Sequence, residues 1–496
     1  MFWYPRPTPL GYAQGRLWAA FFRRFAAKTA SGRRWRASFL QLHVPTKCIV
    51  PNCKIVVRSP PFTQSFTLYF ADGWRRASVR SERYARYNAS VRILISAGEA
   101  SGEMYGAELI EALRRADERR PAELCSAGQP EAAVPTPALP LEFFGVGGEQ
   151  MRAAGCETVV DAKDLAVVGI TEILSHLPKI YGLFRKLIFE ADKRKPDFAV
   201  VIDSPAFNWR VAREMKKRGV PVVYYVAPQF WAWRQGRVRL LQDYVDKALV
   251  IFPFEEKFYR ERGVDATFVG HPLAEWPHPA IDRGDYASQH RLDGAKQWIT
   301  LMPGSRVKEV RMNLPTILES AGALGIGYEF LLPLAPTLDM DFLQALVDRL
   351  PAIHLVHEAL PALWHSRAGI IASGTATVEA ALMSTPFVMV YRVTPLTYFL
   401  GRSRIKVPHF AMVNLIAGEE IVPELVQRDF TTESVVGRLN EILPDGPPRE
   451  RMLNGLARVR ARLCAPPDGD TAGSHPADHA ASIIVSLLRQ RRRTTR

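Results

Sequence analysis

From Val91 onward, short unbroken apolar runs alternate with longer stretches whose apolar residues recur every three or four positions. Runs 91–96, 142–145, 198–203 (F-A-V-V-I-D) and 220–226 predict strands, and 102–115, 170–195 and 206–218 predict helices. Strands buried on both faces are apolar throughout, whereas a half-exposed strand alternates, so the pattern predicts a parallel sheet covered by helices on both sides. The alternation pauses near Gly270-His271-Pro272. It restarts with strands at 298–302, 330–334, 353–356, 369–372 and 387–391. The fold class is therefore α/β, with two Rossmann-like domains facing a cleft. The expected limits are 91–272 for the first domain, 273–440 for the second, and 441–496 for closing helices and a basic tail. The Ala- and Pro-rich stretch 121–140 reads as a surface loop.

Residues 1–90 break this pattern. They show no clear period and hold four tryptophans, with 16 Lys and Arg against two acids. The chain's formal charge is +15, so the other 406 residues carry only +1. A nucleic-acid groove would need its positive charge on the folded core, so no nucleic-acid partner is expected. The basic segment fits an Arg-rich presequence, a membrane-surface tail, or an extension ahead of a true start near Val91. The third reading is favoured because the orderly pattern begins abruptly there. Residues 1–90 are expected to be poorly ordered. The five cysteines form no Cys-x-x-Cys pair and no zinc-spaced cluster, which points to a reducing compartment without a structural metal. No run of about 18 apolar residues occurs, so no helix is expected to span a bilayer.

Chemistry-bearing residues gather where strands give way to helices. Ser96-Ala97-Gly98-Glu99-Ala100-Ser101-Gly102-Glu103 follows the first strand, and ligands bind at such carboxyl ends in open α/β sheets. Small residues allow close approach, and Glu99 would point into the cleft. Asp203-Ser204-Pro205 ends the run F-A-V-V-I, placing Asp203 at the same rim as Glu99. The plain alternative for Asp203 is a helix N-cap. Pro228-Gln229-Phe230-Trp231-Ala232-Trp233-Arg234 puts two tryptophans in one loop. At least one belongs in the core; the other, with Gln229, could line an acceptor pocket.

In the second domain, Pro303-Gly304-Ser305-Arg306 offers backbone N–H groups, a helix start and a guanidinium, the makings of an anion site. Ser373-Gly374-Thr375-Ala376-Thr377-Val378-Glu379 repeats that logic, with Glu379 one turn on and able to take two ribose hydroxyls. Two anion-friendly helix starts make a nucleoside diphosphate the simplest ligand. Between residues 166 and 187, Ile170, Ile173, Leu174, Leu177, Ile180 and Phe184 form an apolar row interleaved with Lys179, Arg185 and Lys186. A core-facing helix has that pattern, and so does a membrane-surface helix. Pro178 is expected to kink or split it.

Taken in order, G-E-A-S-G-E, V-I-D-S-P-A-F-N, V-A-P-Q-F-W-A-W-R, F-P-F-E, F-V-G-H-P-L, L-M-P-G-S-R-x-x-E-V, A-S-G-T-A-T-V-E and N-L-I-A-G resemble the motif series of the lipid-A-disaccharide synthase family. The resemblance runs from Val91 to about Asp429, with Glu103 standing where Asp is common. It implies a GT-B fold and an inverting transfer without metal or other cofactor. The implied donor is UDP-2,3-diacylglucosamine and the acceptor 2,3-diacylglucosamine 1-phosphate. The implied products are the β-1,6-linked disaccharide 1-phosphate and UDP. It also implies a cytoplasmic protein, peripheral on the inner face of the inner membrane, often as a homodimer. Stretch 170–187 is similar to the family's membrane-proximal segment.

Asp203, with Glu99 second, is then expected to act as base for the acceptor's 6-hydroxyl. Arg306, Ser305, Gly374 and Thr375 would neutralise the leaving diphosphate. Glu379 would hold ribose, and Asn208, Gln229 and Trp231 would contact sugars. The rival readings are another GT-B UDP-sugar enzyme, such as a UDP-GlcNAc 2-epimerase or a lipid II GlcNAc transferase, and a non-catalytic nucleotide- or lipid-binding protein.

Overall fold

The structure is a computed structural model. It describes residues 57–58, 65–68, 77–80, 90–118, 141–165, 170–232, 235–275, 278–335, 338–347, 352–395, 398–399, 407–464 and 475–494. The chain divides into two units, 1–90 and 91–496. In the first, strands β1 (Val57–Arg58), β2 (Ser65–Leu68) and β3 (Ala77–Arg80) pair antiparallel in sequence order. Those short strands apart, the expectation of poor order falls outside the described residues, as does the 121–140 loop.

The second unit holds two wholly parallel sheets. One contains β4 (Val91–Ala97), β5 (Leu141–Gly147), β6 (Cys156–Asp161), β7 (Phe198–Ile202), β8 (Val222–Tyr225), β9 (Lys247–Val250) and β10 (Ala266–Phe268), in the order β10-β9-β8-β7-β4-β5-β6. The other contains β11 (Gln297–Met302), β12 (Tyr328–Pro333), β13 (Ile353–Val356), β14 (Ala368–Ala372), β15 (Phe387–Tyr391) and β16 (Glu424–Val426), in the order β13-β12-β11-β14-β15-β16. Every residue of β7 and β14 is buried, which explains their unbroken apolar sequences. Each fully buried Val, Leu or Ile in these strands contributes roughly 1.5–3 kcal/mol relative to exposure.

Helix α1 (Ala100–Glu118) follows β4, α2 (Ile170–Arg194) precedes β7, and α3 (Pro205–Lys217) follows it. Pro205 opens α3 and Pro253 opens α4 (Pro253–Arg260), where a fixed φ suits the first turn and no N–H is needed. In the second lobe, α5 (Val307–Leu324) follows β11 and α6 (Ala376–Leu382) follows β14. Helix α7 (Pro447–Leu463) leads to α8 (Pro476–Thr494), which returns to the first lobe and packs along α1. Arg115 and Asp478 pair there at 2.9 Å.

Two expectations change. Helix α2 runs through Pro178 as one helix, because Pro178 lies on the exposed side, where water can satisfy the carbonyl that loses its donor. The basic end of the chain, expected as a tail after the closing helices, is itself helical: α8 continues through Thr494, and the exposed Arg491 guanidinium donates to the Gly219 carbonyl.

Candidate functional site

Strand order locates the site. In the first sheet the chain starts in the middle with β4, builds outward through β5 and β6, then reverses to β7 on β4's other side. The second sheet does the same, reversing between β11 and β14. Such reversals open a crevice beyond the strands' carboxyl ends, since the two flanking connections leave on opposite faces. Ala97 aligns with Ile202 and Met302 with Ile371. Adjacent strands lie about 4.8 Å apart. The Glu99 turn therefore neighbours the Asp203 turn, and the Arg306 turn neighbours the Thr375 turn. All four strand-end motifs occupy the two reversal points.

In the first lobe, Asp203 and Ser204 take left-handed backbone, with φ of 45° and 44°. Such conformations cost roughly 1–2 kcal/mol per non-glycine residue, so the surroundings must impose them. The Asp203 carbonyl accepts from the Tyr224 hydroxyl at 2.8 Å and from the Asn208 amide at 2.9 Å. The Asn208 amide also reaches the carbonyls of Ile202 (2.8 Å) and Ser96 (3.1 Å), while its oxygen accepts from Ser96 Oγ at 2.6 Å. Burial, together with the nearby Glu99 charge, pushes the Asp203 carboxyl up to about 6, a backbone contact from Ser204 partly opposing them. Glu99 itself is exposed. The N-cap position falls on Ser204 rather than Asp203, and no side-chain cap bond forms there.

Asn208 and Trp231 do not sit where sugar contacts would require. Asn208 is fully buried with both ends of its amide engaged by protein, and it braces the turn. Trp231 is the core tryptophan of its loop. Its indole N–H donates to Glu255 at 2.7 Å, and its ring packs edge-on against Phe254. An indole N–H that must find a buried acceptor explains why Trp231 points inward. Gln229 remains exposed on the same loop, and Trp233 lies outside the described residues.

In the second lobe, Gly304 has φ of 120° and Gly374 of 142°, backbone that side chains resist. Arg306 is exposed and pairs with Glu309 at 3.0 Å, while Ser305, also exposed, donates its N–H to the same carboxylate at 3.2 Å. Buried Asn313 fixes this turn by donating to the Pro303 carbonyl at 2.9 Å. Gly374 and Thr375 are exposed, and no acceptor for their N–H groups is found among the described residues. Glu379 is half-buried, and desolvation raises its carboxyl above the ordinary range.

Tyr105, buried on α1, has its hydroxyl's proton held more tightly by burial and then by the charges of Asp203, Glu379 and Glu108. Tyr105 and Tyr224 stood in no sequence motif, and Glu255, though it ends the F-P-F-E motif, was given no role; only the fold reveals what the three do.

On α2, Ile180 and Phe184 pack against the core, so they are not membrane-facing residues. The outward row is Tyr181, Arg185 and Phe189, with Tyr181 62% and Phe189 67% exposed. A helical repeat of 3.6 puts positions four apart on one side, and the sequence pattern alone could not say which side met the sheet. The side chains of Ile170, Ile173, Leu174 and Leu177 lie outside those described. Among the described residues, no helix is long and apolar enough to cross a membrane.

A family model for lipid-A-disaccharide synthetase matches residues 93–450. A lipid-A-disaccharide synthase of Koribacter versatilis is 50% identical over 404 residues, covering 81% of this chain and 100% of that protein. One from Acidobacterium capsulatum is 46% identical over 421 residues, covering 82% and 98%. Among solved structures, a UDP-GlcNAc 2-epimerase from Neisseria meningitidis bound to UDP-GlcNAc aligns with TM-score 0.51 at 11% identity, covering 81% of this chain and 100% of that one. The glycotransferase of kitacinnamycin aligns at 0.50 and 15% identity, covering 80% and 99%. At such identities these two speak for the fold alone, the two-lobed GT-B arrangement.

Proposed function

This chain belongs to the lipid-A-disaccharide synthetase family, and on that premise we propose how its residues carry out the transfer. The enzyme is a glycosyltransferase that moves 2,3-diacylglucosamine from its UDP carrier to 2,3-diacylglucosamine 1-phosphate. In our reading Asp203 takes the proton from the acceptor's 6-hydroxyl. The freed oxygen attacks the donor's anomeric carbon from the face opposite UDP, which departs with the bonding pair. A carboxyl pushed up to about 6 keeps more basicity near neutral pH than an ordinary aspartate while remaining mostly ionised. Glu99 keeps that proton affinity raised. The negative charge on the departing diphosphate is met by Arg306 and by the N–H groups of Gly374 and Thr375. Glu379 accepts from the ribose hydroxyls, and Gln229 reaches the acceptor.

The observation that carries this reading is the coincidence of all four turns with the two strand-order reversals. We further propose that the Tyr181–Arg185–Phe189 face of α2 rests on the cytoplasmic membrane surface, where acylated substrates are found.

The test is UDP release from UDP-2,3-diacylglucosamine with and without the acceptor. Acceptor-dependent release that Asp203→Asn reduces by at least a hundredfold, with folding intact, supports the reading. Release without acceptor, as a UDP-sugar epimerase of this fold could show, or an active Asp203→Asn enzyme, overturns it.

A further inference from the structure

The least expected feature of the first-lobe turn is its backbone. Two consecutive non-glycine residues, Asp203 and Ser204, are left-handed, and Asp203 is the proposed base. An aspartate tolerates that conformation better than most residues, and the Asp203 carboxylate accepts from the Ser204 N–H, but one such contact does not hold two left-handed residues in succession. The Asp203 carbonyl is instead held by two donors from different elements, Tyr224 on β8 and Asn208 on α3. Asn208 is fixed in turn by Ser96 at the end of β4. Three elements thus converge on one peptide group.

We infer that Tyr224 and Asn208 are positioning residues, a hydrogen-bonded clamp on the Asp203 carbonyl that holds the turn left-handed and so aims the Asp203 carboxylate at the acceptor. The inference rests on the reading of Asp203 as the base and adds residues with no part in substrate contact. The Tyr224 hydroxyl suits the task. It is completely buried, so its proton stays on and it remains a donor throughout the working pH range. Its ring continues β8, so the strand itself supplies the donor's position. The groups acting on the Asp203 carboxyl are Glu99, on the β4–α1 turn, and the Ser204 N–H. Tyr224 on β8 and Tyr105 on α1 feel the Asp203 charge in their turn. Relaxing the turn would shift the carboxylate relative to all of them.

The decisive variant is Tyr224→Phe, which keeps the ring and removes only the clamp's hydroxyl. Expected is a fall in kcat of about tenfold, as misplacement of a base produces, with KM unchanged. The acid limb of kcat/KM should also move down from about 6 as the carboxyl becomes better solvated. Ser96→Ala, which removes the donor to the Asn208 amide oxygen and leaves its NH2 on backbone carbonyls, should move both quantities the same way by less. Asp203→Asn and the double variant Asp203→Asn/Tyr224→Phe complete a cycle. Equal residual rates in those two mean that Tyr224 acts through Asp203. Multiplying losses mean that it acts elsewhere and overturn the inference, as does a Tyr224→Phe enzyme with parental kcat and pH profile. A still-active Asp203→Asn enzyme is a separate outcome: it removes the base assignment, and the clamp's proposed purpose goes with it. Thermal midpoints of every variant separate these effects from unfolding.

Discussion

The Trp231 indole donates to the Glu255 carboxylate at 2.7 Å, with both side chains buried beneath the turn that exposes Gln229. The second carboxylate oxygen accepts the N–H groups of Ile251 (3.2 Å) and Phe252 (3.0 Å). Glu255→Ala strands three buried donors at once. Each unsatisfied donor costs about 1–3 kcal/mol, so a loss of about 3–5 kcal/mol is expected. The measurement is the urea midpoint at fixed m-value. A change under 1 kcal/mol would mean the carboxylate does not carry this loop.

The same residue gives stability a pH dependence. Burial pushes Glu255 up to about 7 from an ordinary 4.5, so its contribution is fully present below about 4.5 and is lost as pH rises through 7. His271, ring to ring with Phe252 at 5.4 Å, is held down to about 4 by burial. Its contribution is present above about 6.5 and is lost as pH falls toward 4. Between pH 4.5 and 6.5 the two slopes oppose each other. Glu255→Gln removes one of them, so the variant's stability should climb with pH across that window more steeply than the parent's. Denaturation at pH 4.5, 5.5, 6.5 and 7.5 reads the difference, and parallel curves would refute it.

A methyl group at Gly98 would probe the coupling between the first-lobe turns. A Cβ there would stand 2.6 Å from Ser204 Oγ and 3.1 Å from Ser204 Cβ. The hydroxyl can rotate away, but the β-carbon moves only with the left-handed backbone next to Asp203. Gly98→Ala should therefore lower kcat by about ten- to a hundredfold. The thermal midpoint should fall only slightly, because Glu99 and the start of α1 are open to solvent. Full activity would show that the turns move independently.

The second-lobe anion site makes the opposite pairing of effects. Arg306 is 78% exposed along its side chain, and its bond to Glu309 is a surface ion pair worth little. Arg306→Ala should leave stability within about 0.5 kcal/mol. If the guanidinium meets the diphosphate, a charge-assisted bond of about 1.5–3 kcal/mol disappears. That corresponds to roughly a ten- to hundredfold fall in kcat/KM for the UDP-sugar. Arg306→Lys should recover part of it, since a lysine supplies charge without the two-pronged geometry. UDP affinity by calorimetry, unchanged in Arg306→Ala, would remove the residue from the site.

The sequence carried the fold wherever burial was two-sided. Runs such as F-A-V-V-I in β7 and A-G-I-I-A in β14 are too short for a buried helix and alternate with amphipathic helices, so they read as covered strands, and the turns after them lie at carboxyl ends. Strands β6 (C-E-T-V-V-D), β10 (A-T-F) and β16 (E-L-V), which lie at sheet edges, and the four-residue interior strand β9 (K-A-L-V) escaped, because edge strands keep polar residues and runs this short carry little pattern. Candidate chemistry was legible where it sat in those turns. It misled at Asn208 and Trp231, where a polar group beside the site served the protein's own backbone. Tyr224 gave no signal at all: a tyrosine in V-V-Y-Y reads as strand filling until its hydroxyl is seen against the Asp203 carbonyl. Which oxygen a buried hydroxyl meets depends on strand register, and register is a property of the assembled sheet.

On α2 the core takes Leu187 and Ala191 completely and Ile180, Leu183, Phe184 and Ile188 in part, leaving Tyr181, Arg185, Lys186 and Phe189 outside. Two large rings held in water by a helix with a satisfied inner face gain nothing for the fold. Seating a Phe in an apolar phase gains roughly 1.5–3 kcal/mol, and each neighbouring Arg or Lys adds about 1 kcal/mol near an anionic surface. Tyr181→Ser with Phe189→Ser should therefore weaken binding to phosphatidylglycerol-containing vesicles by at least about a hundredfold, leaving the thermal midpoint near the parent's. Arg185→Gln with Lys186→Gln should lower affinity for anionic vesicles while leaving binding to neutral ones unaltered. Activity on substrate dispersed in detergent should survive both pairs, because neither touches the reversal points. Vesicle flotation together with a detergent assay separates a lost membrane contact from a damaged enzyme, and unchanged flotation of the serine pair would remove this face of α2 from the membrane.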